Sequence, residues 1–386
     1  MMILAAYITT LFSLFFIFAG QFRIGCPFIA CAAILLWFEI AREFRARLFK
    51  STMFWLWLAF IAIAAVQLIN HGEYRSLDEA RNLLIFPRIT WLPFTLAPKI
   101  AVVSLIAWCA IAGLCVAGES VIIRQNRNGI LDACLFMAVM LATMGIAQYH
   151  AHIPGFYFGV YGYDKPLSFS IFGYVNNAAT FFMLASGIAL WRSKWTWPLV
   201  LLFGYCILLC QCRAMMGAWY LILAFRVLYP RNKTAWLAII AIAITLLILL
   251  IDRIMTDRWY EYIVNWRLIC AHPIFGCGVY GNTLMPSTVM DAWFNKMMQG
   301  QPNTHCDIMV TLVEYGLIGG GLLAAIAWRM LRRYTNSILL CAVLLACAHA
   351  LIDMPFRCPA VVGLMVAMLL PAHWLSNSSP IADPAS

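Results

Sequence analysis

Apolar runs close to twenty residues long recur from one end of the chain to the other, and that repetition leaves few folds open. In a water-soluble domain part of every helix meets solvent, so the sequence shows one-faced or alternating patterns. Stretches such as MMILAAYITTLFSLFFIFAG and AVVSLIAWCAIAGLCVAG show neither. A helix of about twenty residues is about 30 Å long, the thickness of a bilayer's hydrocarbon core. With 64% hydrophobic and only 11% charged residues among 386, the chain reads as an all-α polytopic membrane protein. A single transmembrane domain is expected over residues 1–375.

Twelve spans are expected, near 2–20, 24–41, 52–70, 100–118, 130–149, 173–191, 196–211, 214–230, 234–251, 305–328, 336–352 and 359–375. The first lacks a basic leader and runs directly into a second, so it is expected to be a retained helix rather than a signal peptide. Over half of the 26 lysines and arginines fall in one alternating set of short connections. They are Arg42, Arg45, Arg47 and Lys50; Arg124 and Arg127; Arg192 and Lys194; Arg226, Arg231 and Lys233; and Arg329, Arg332 and Arg333. The positive-inside rule places this set in the cytoplasm. The formal charge of +10 is thus explained by topology, and nucleic acid is not expected as a partner. Two long loops, 71–99 and 252–304, then face the periplasm, the second between the ninth and tenth spans. In the first, Ser76 and Glu79 form a capping box, which predicts a short surface helix ending before Pro87. The tail 376–386, polar and proline-containing, is expected to be disordered and cytoplasmic.

Fourteen cysteines raise a redox or metal reading, but no CxxC occurs and most of them lie within spans, where cysteine behaves as a small hydrophobe. Cys270 and Cys277 share the long loop and could pair in an oxidising periplasm.

Charged groups at span ends are costly, and several gather on one expected face. Arg213 opens RAMMG where one span ends and the next begins. Its planar guanidinium suits a phosphate clamp, and equally an anchor in lipid headgroups. Arg267 lies in the long loop just before His-Pro-Ile-Phe-Gly-Cys-Gly, where a solvated loop arginine is the plain alternative. His305 stands at the threshold of a helix, where an imidazole can take a proton from a hydroxyl or can simply cap the helix. The positive end of the helix dipole favours its neutral form. Counted along one helix, Glu314 lies on the opposite side from His305 and about 13 Å away, which suits packing or a buried polar network rather than catalysis. Gly316, Gly319, Gly320 and Gly321 suit a tight helix crossing. His349 and Asp353 are one turn apart, with Arg357 beyond them, and the pair either fixes an imidazole tautomer or locks the loop.

These residues sit in motifs that resemble those of the O-antigen ligase and polymerase superfamily. NTHCDIMVTLVEYGLIGG resembles its histidine box, followed by Glu-x-Gly-x-x-Gly. SIFGYVNNAATFF, with Asn176 and Asn177, is similar to its Gly-x-Phe-x-Asn-x-Asn segment. CRAMMGAW is similar to its Ser-Arg-Gly-Ala-Trp segment, with two methionines before the glycine. WRLICAHPIFGCGVYGN resembles its Trp-(x)n-Pro-x-x-Gly-x-Gly loop, and HALIDMPFRCP its His-x-x-x-Asp-x-Pro box. The likeness runs from about residue 170 to 360. It implies a metal-independent inverting glycosyltransferase of the bacterial inner membrane that needs no cofactor. The donor would be a glycan on undecaprenyl diphosphate. The acceptor would be lipid A-core for a ligase, the growing glycan for a polymerase, or a protein. By the same resemblance Arg213 and Arg267 bind the diphosphate and His305 activates or orients the acceptor hydroxyl. Asn176, Asn177, His349, Asp353 and Arg357 complete the substrate site. The loop carboxylates Asp252, Asp257, Glu261 and Asp291 are not required by that chemistry, because two arginines can hold the leaving charge.

Two other classes also fit twelve spans. A secondary transporter should show related halves and broken helices at mid-membrane, whereas here the charges gather at the outer face. A scaffold would have no use for His305.

Overall fold

The computed structural model describes residues 1–17, 22–44, 48–78, 81–153, 169–228, 260–289, 305–332 and 337–371. In chain order the helices begin with α1 (Met2–Ile17), α2 (Phe22–Glu43), α3 (Thr52–Ile69), α4 (Pro98–Ala117), α5 (Val121–Gln125) and α6 (Arg127–His150). They continue with α7 (Val175–Arg192), α8 (Trp197–Leu209), α9 (Arg213–Leu228) and α10 over 260–271. Two short helices, α11 (Gly281–Leu284) and α12 (Pro286–Val289), precede α13 (Asp307–Leu331), α14 (Ser337–His349) and α15 (Pro359–Met368). The described chain is mostly helical. Among the described residues four helices, α3, α4, α6 and α13, are long and apolar enough to cross a membrane. A helix occupies every expected span position except 234–251, which lies outside the described residues together with 252–259, 290–304 and the tail 376–386. The 13 residues of α8 make a helix of about 20 Å, short of a full crossing.

The bundle is built around α7, buried from Ala178 to Leu190. Its small residues let neighbours close in, most tightly at Gly187, where an added Cβ would lie 2.7 Å from the Cβ of Ala342 on α14. This crossing brings the start of α7 beside the end of α14, and the candidate site forms there.

Polar contacts collect at both ends of the bundle. At one end Ser51 donates to Glu119 (2.6 Å), Ser120 to Glu43, Arg127 to the Met368 carbonyl (3.5 Å) and Arg192 twice to Asp132 (2.6 and 2.7 Å). Arg329 lies 3.8 Å from Glu119. These are the connections in which the sequence concentrates arginine and lysine, and exposed Trp55, Trp195 and Trp328 ring the same end, as in an interfacial belt. Loops 71–97 and 272–289 pack at the opposite end.

The helix expected before Pro87 is replaced by an antiparallel hairpin, β1 (Glu73–Asp78) with β2 (Arg81–Ile85), in which Ser76 pairs with Asn82 instead of capping a helix. Glu79 lies outside the described residues. A helix this short is marginal in water, whereas the ladder satisfies its own backbone, and Leu84 packs on a small core formed by Phe94, Leu96, Leu268 and Val313.

The glycine run is also corrected, because α13 is broken at Gly316 (φ 64°, ψ −169°). The turn after α10 plugs the break. Cys277 and Gly278 donate their N–H groups to the carbonyls of Val313 (2.7 Å) and Glu314 (3.2 Å). Leu317 and Ile318 in turn donate to Pro273 (2.8 Å) and Ile274 (3.2 Å). Gln67 of α3 adds a hydrogen bond to the Glu314 carbonyl. Backbone freed at membrane depth must be satisfied by protein, and here the loop supplies the partners. Thus part of the 252–304 segment, expected as a loop facing the periplasm, is built into the bundle. Nothing outside α13 lies closer than 3.8 Å to a Cβ added at Gly319, Gly320 or Gly321, so they form no tight helix crossing.

Candidate active site

His305 lies outside α13, whose first residue is Asp307, so the rotation counted along one helix from His305 to Glu314 does not apply. Its position is fixed from α10 instead. The His305 N–H donates to the buried Glu261 carboxylate (3.1 Å), and the Tyr262 hydroxyl donates to the His305 carbonyl (3.4 Å). The Asp307 N–H donates to the carbonyls of Ala350 (2.9 Å) and Asp353 (3.2 Å), which ties the histidine to the turn after α14.

That turn carries Asp353, the centre of the site. Its Oδ1 accepts from the Met354 N–H (2.8 Å) and lies 3.3 Å from His305 Nδ1, while Oδ2 accepts from the Tyr174 hydroxyl (3.3 Å) and the Asn176 amide. Burial alone would push the Asp353 carboxyl up. The hydrogen bond from His305, the charge of His349 and the Met354 N–H outweigh burial, and the group lies below its ordinary value. An ionised Asp353 can only accept, so His305 donates from Nδ1, and in the neutral imidazole the lone pair is then on Nε2. That is the tautomer a general base needs. The His305 side chain is 22% exposed, against 5% for Asp353.

His349 is buried on the far side of Asp353, with Nε2 3.7 Å from Oδ2 and 4.0 Å from the Cys212 sulfur. Arg213 follows Cys212 directly and opens α9; it is exposed and has no hydrogen-bond partner among the described residues. Deeper along α13, Arg357 donates to Glu314 (2.6 Å) and Asn282 (3.4 Å), and the Tyr280 N–H donates to the same Glu314 oxygen (2.9 Å). Glu314 thus belongs to a buried polar network, and it holds Arg357 with its side chain 30% exposed.

The structure therefore brings His305, Asp353, His349 and Asn176 together, with Arg213 next in the chain to Cys212 and Arg357 four residues past Asp353 but paired with Glu314. It leaves out Asn177, whose side-chain oxygen is buried with no hydrogen-bond partner, and Arg267. The buried face of α10 carries Glu261, Val264, Asn265 and Leu268, while Arg267 lies on the exposed face and donates to the Val289 carbonyl (3.2 Å). Cys270 is exposed, Cys277 is buried, and the two are not bonded. No protein-family model matches the chain, and neither does any curated protein sequence.

Sequence reasoning missed Tyr174, Thr180 and Cys212, and it read Glu261 only as one loop carboxylate among several. Thr180 carried a signal, because it is one helical turn from Asn176 and so shares its face. Tyr174 and Cys212 lie within the quoted segments SIFGYVNNAATFF and CRAMMGAW at positions that no spacing marks. Among the described residues no three His, Cys, Asp or Glu side chains converge as a metal ion requires.

Proposed function

We propose that the chain is a metal-independent inverting glycosyltransferase of the bacterial inner membrane, with twelve spans and its site at the periplasmic face. Its donor is a glycan on undecaprenyl diphosphate, and its acceptor is a hydroxyl of the lipid A-core class. The observation that carries this reading is the hydrogen bond between His305 and a buried, ionised Asp353, with an exposed Arg213 that has no hydrogen-bond partner among the described residues.

The acceptor oxygen attacks the anomeric carbon from the face opposite the diphosphate. Its O–H proton passes to His305 Nε2 as the new C–O bond forms. The bond from carbon to phosphate oxygen breaks, and the diphosphate leaves with the electron pair. Arg213 meets that charge, and Arg357, four residues past Asp353 and partly exposed, offers a second guanidinium. The proton then passes from His305 to water. Asp353 stays ionised throughout and stabilises the imidazolium as it forms. The broken helix α13 is a feature of transporters, but its freed backbone groups are taken by the 273–278 turn rather than left to coordinate a passing ion.

The test is transfer of a labelled lipid-linked glycan to an acceptor by the full-length protein in membranes. His305→Ala is expected to lower turnover by about 10²–10⁴, the range for loss of a general base. Wild-type rates in a folded His305→Ala protein would refute the assignment.

A further inference from the structure

Asp353 is a buried carboxylate whose hydrogen-bond partners are all donors, and among the described residues it has no lysine or arginine within 4.0 Å. A buried charge without a counter-charge is costly. Among the described residues the groups in reach that can supply one are two imidazoles, His305 and His349.

Proton accounting separates them. Thr180 spends its single hydroxyl proton on the Asn176 carbonyl (2.9 Å), so its oxygen must accept at His349 Nδ1 (2.9 Å), and Nδ1 therefore bears a hydrogen. If His349 were neutral, the lone pair on Nε2 would point at the Asp353 carboxylate. A proton on Nε2 turns that repulsion into an ion pair. The helix dipoles point the same way, since His349 ends α14, where positive charge is favoured, and His305 precedes α13, where it is not. We propose that His349 is the resident cation of the site, a positioning residue whose charge balances Asp353 and so leaves His305 neutral with Nε2 free. The catalytic meaning of this charge division rests on the glycosyl-transfer reading, but the division itself does not.

The other charged and titratable groups facing this cluster come from every neighbouring element. Tyr174 precedes α7, and Cys212 and Arg213 come from the start of α9. Burial pushes the Cys212 thiol up to about 11, so it adds no negative charge. Glu261 of α10 is a buried carboxylate held by the His305 N–H, and Asp307 of α13 is a buried carboxyl held by the Phe356 N–H. Glu314 and Arg357 largely cancel through their own pair.

The experiment follows the carbethoxylation of His305 by diethyl pyrocarbonate against pH, read by mass spectrometry on the full-length protein in lipid nanodiscs. The reagent takes the neutral imidazole, and of the two imidazoles in the site only His305 is accessible, because the His349 side chain is 1% exposed; mass spectrometry separates its adduct from those of the exposed His71, His150 and His152. In His349→Gln the uncompensated carboxylate draws a proton onto His305. The pH of half-reaction is expected to rise by about one unit, with the rate near pH 6.5 falling several-fold. Thr180→Val, an isosteric change, should move it in the same direction and less far. The double variant His349→Gln with Asp353→Asn should return it to near the wild-type position. Unchanged curves in folded His349→Gln and Thr180→Val proteins, or a downward shift in either, would overturn the proposal. The readout needs no transferase activity, so a shifted curve in a protein that transfers no glycan would retain the charge division and reject the glycosyl-transfer reading.

Discussion

Gly276 and Gly316 meet backbone to backbone at the break in α13. A Cβ added to Gly276 would lie 2.8 Å from the Gly316 nitrogen, and one added to Gly316 would lie 2.6 Å from the Gly276 nitrogen. Both have positive φ, at 72° and 64°, so a side chain at either is opposed by backbone conformation as well as by space. The clasp holds the turn after α10, and α10 in turn holds the His305 backbone through Glu261.

Gly316→Ala is therefore expected to lower thermal stability by several degrees, at a cost of roughly 1–3 kcal/mol for the strained backbone alone. Gly321→Ala, where an added Cβ meets nothing within 4 Å, should match the wild type or exceed it slightly. The check is the melting temperature of the two variants in the same detergent. Equal melting would show that the clasp does not hold the fold.

The carboxyl of Asp353 sets a pH dependence whose sign is fixed. Its folded-state value lies below the ordinary 3.8, so the unfolded chain binds its proton first as pH falls. The stabilisation is fully present above about 3.8 and is lost as pH drops through the lower folded value. Melting temperatures of the wild type and of Asp353→Asn should differ by a constant amount at neutral pH and converge in acid. A gap that widens in acid would mean that the carboxyl is protonated in the native site.

The guanidiniums should separate by role. Arg213→Ala is expected to weaken donor binding, with partial rescue by lysine, which offers a point charge rather than a planar fork. Arg357→Ala should lose stability as well as donor affinity, because it leaves Glu314 buried and unpaired, a loss of roughly 3–5 kcal/mol. Arg267, on the exposed face of α10, should matter least for turnover. Titration of the three alanine variants with lipid-linked donor decides this. Unaltered binding in Arg213→Ala beside lost binding in Arg267→Ala would return the diphosphate site to the long loop.

The sequence made the helices legible because apolar runs of bilayer length have few alternatives, and the pairing of His349 with Asp353 followed from their spacing of one turn. The meeting of His305 with Asp353 was not legible, since it joins residues 48 apart through the α7–α14 crossing and the Asp307 backbone. The hairpin at 73–85 escaped because Ser76 and Glu79 fit a helix cap locally, while Leu84 is held by a core assembled from distant segments. The glycines after Glu314 suggested close packing, which they provide at Gly316 alone, against a turn rather than a helix. Arg267 was drawn toward the site by its motif, and the exposed face of α10 turns it elsewhere.

The opposite ends of the bundle give a direct test of orientation. Trp91 is 75% exposed at the end that holds His305, and Trp195 is 91% exposed at the end rich in arginine and lysine. If the positive-inside rule governs, the first end faces the periplasm. A cysteine at Trp91 should react with a membrane-impermeant maleimide in intact cells whose outer membrane has been made permeable. A cysteine at Trp195 should react only after the inner membrane is opened. Asn282 is unsuitable for the purpose, because it is buried against Arg357. Cys31 and Cys270 are the exposed native thiols among the described residues, so both are first changed to serine. The reverse labelling pattern would put His305 in the cytoplasm and remove the periplasmic mechanism, since a lipid-linked glycan presented at the outer leaflet would never reach it.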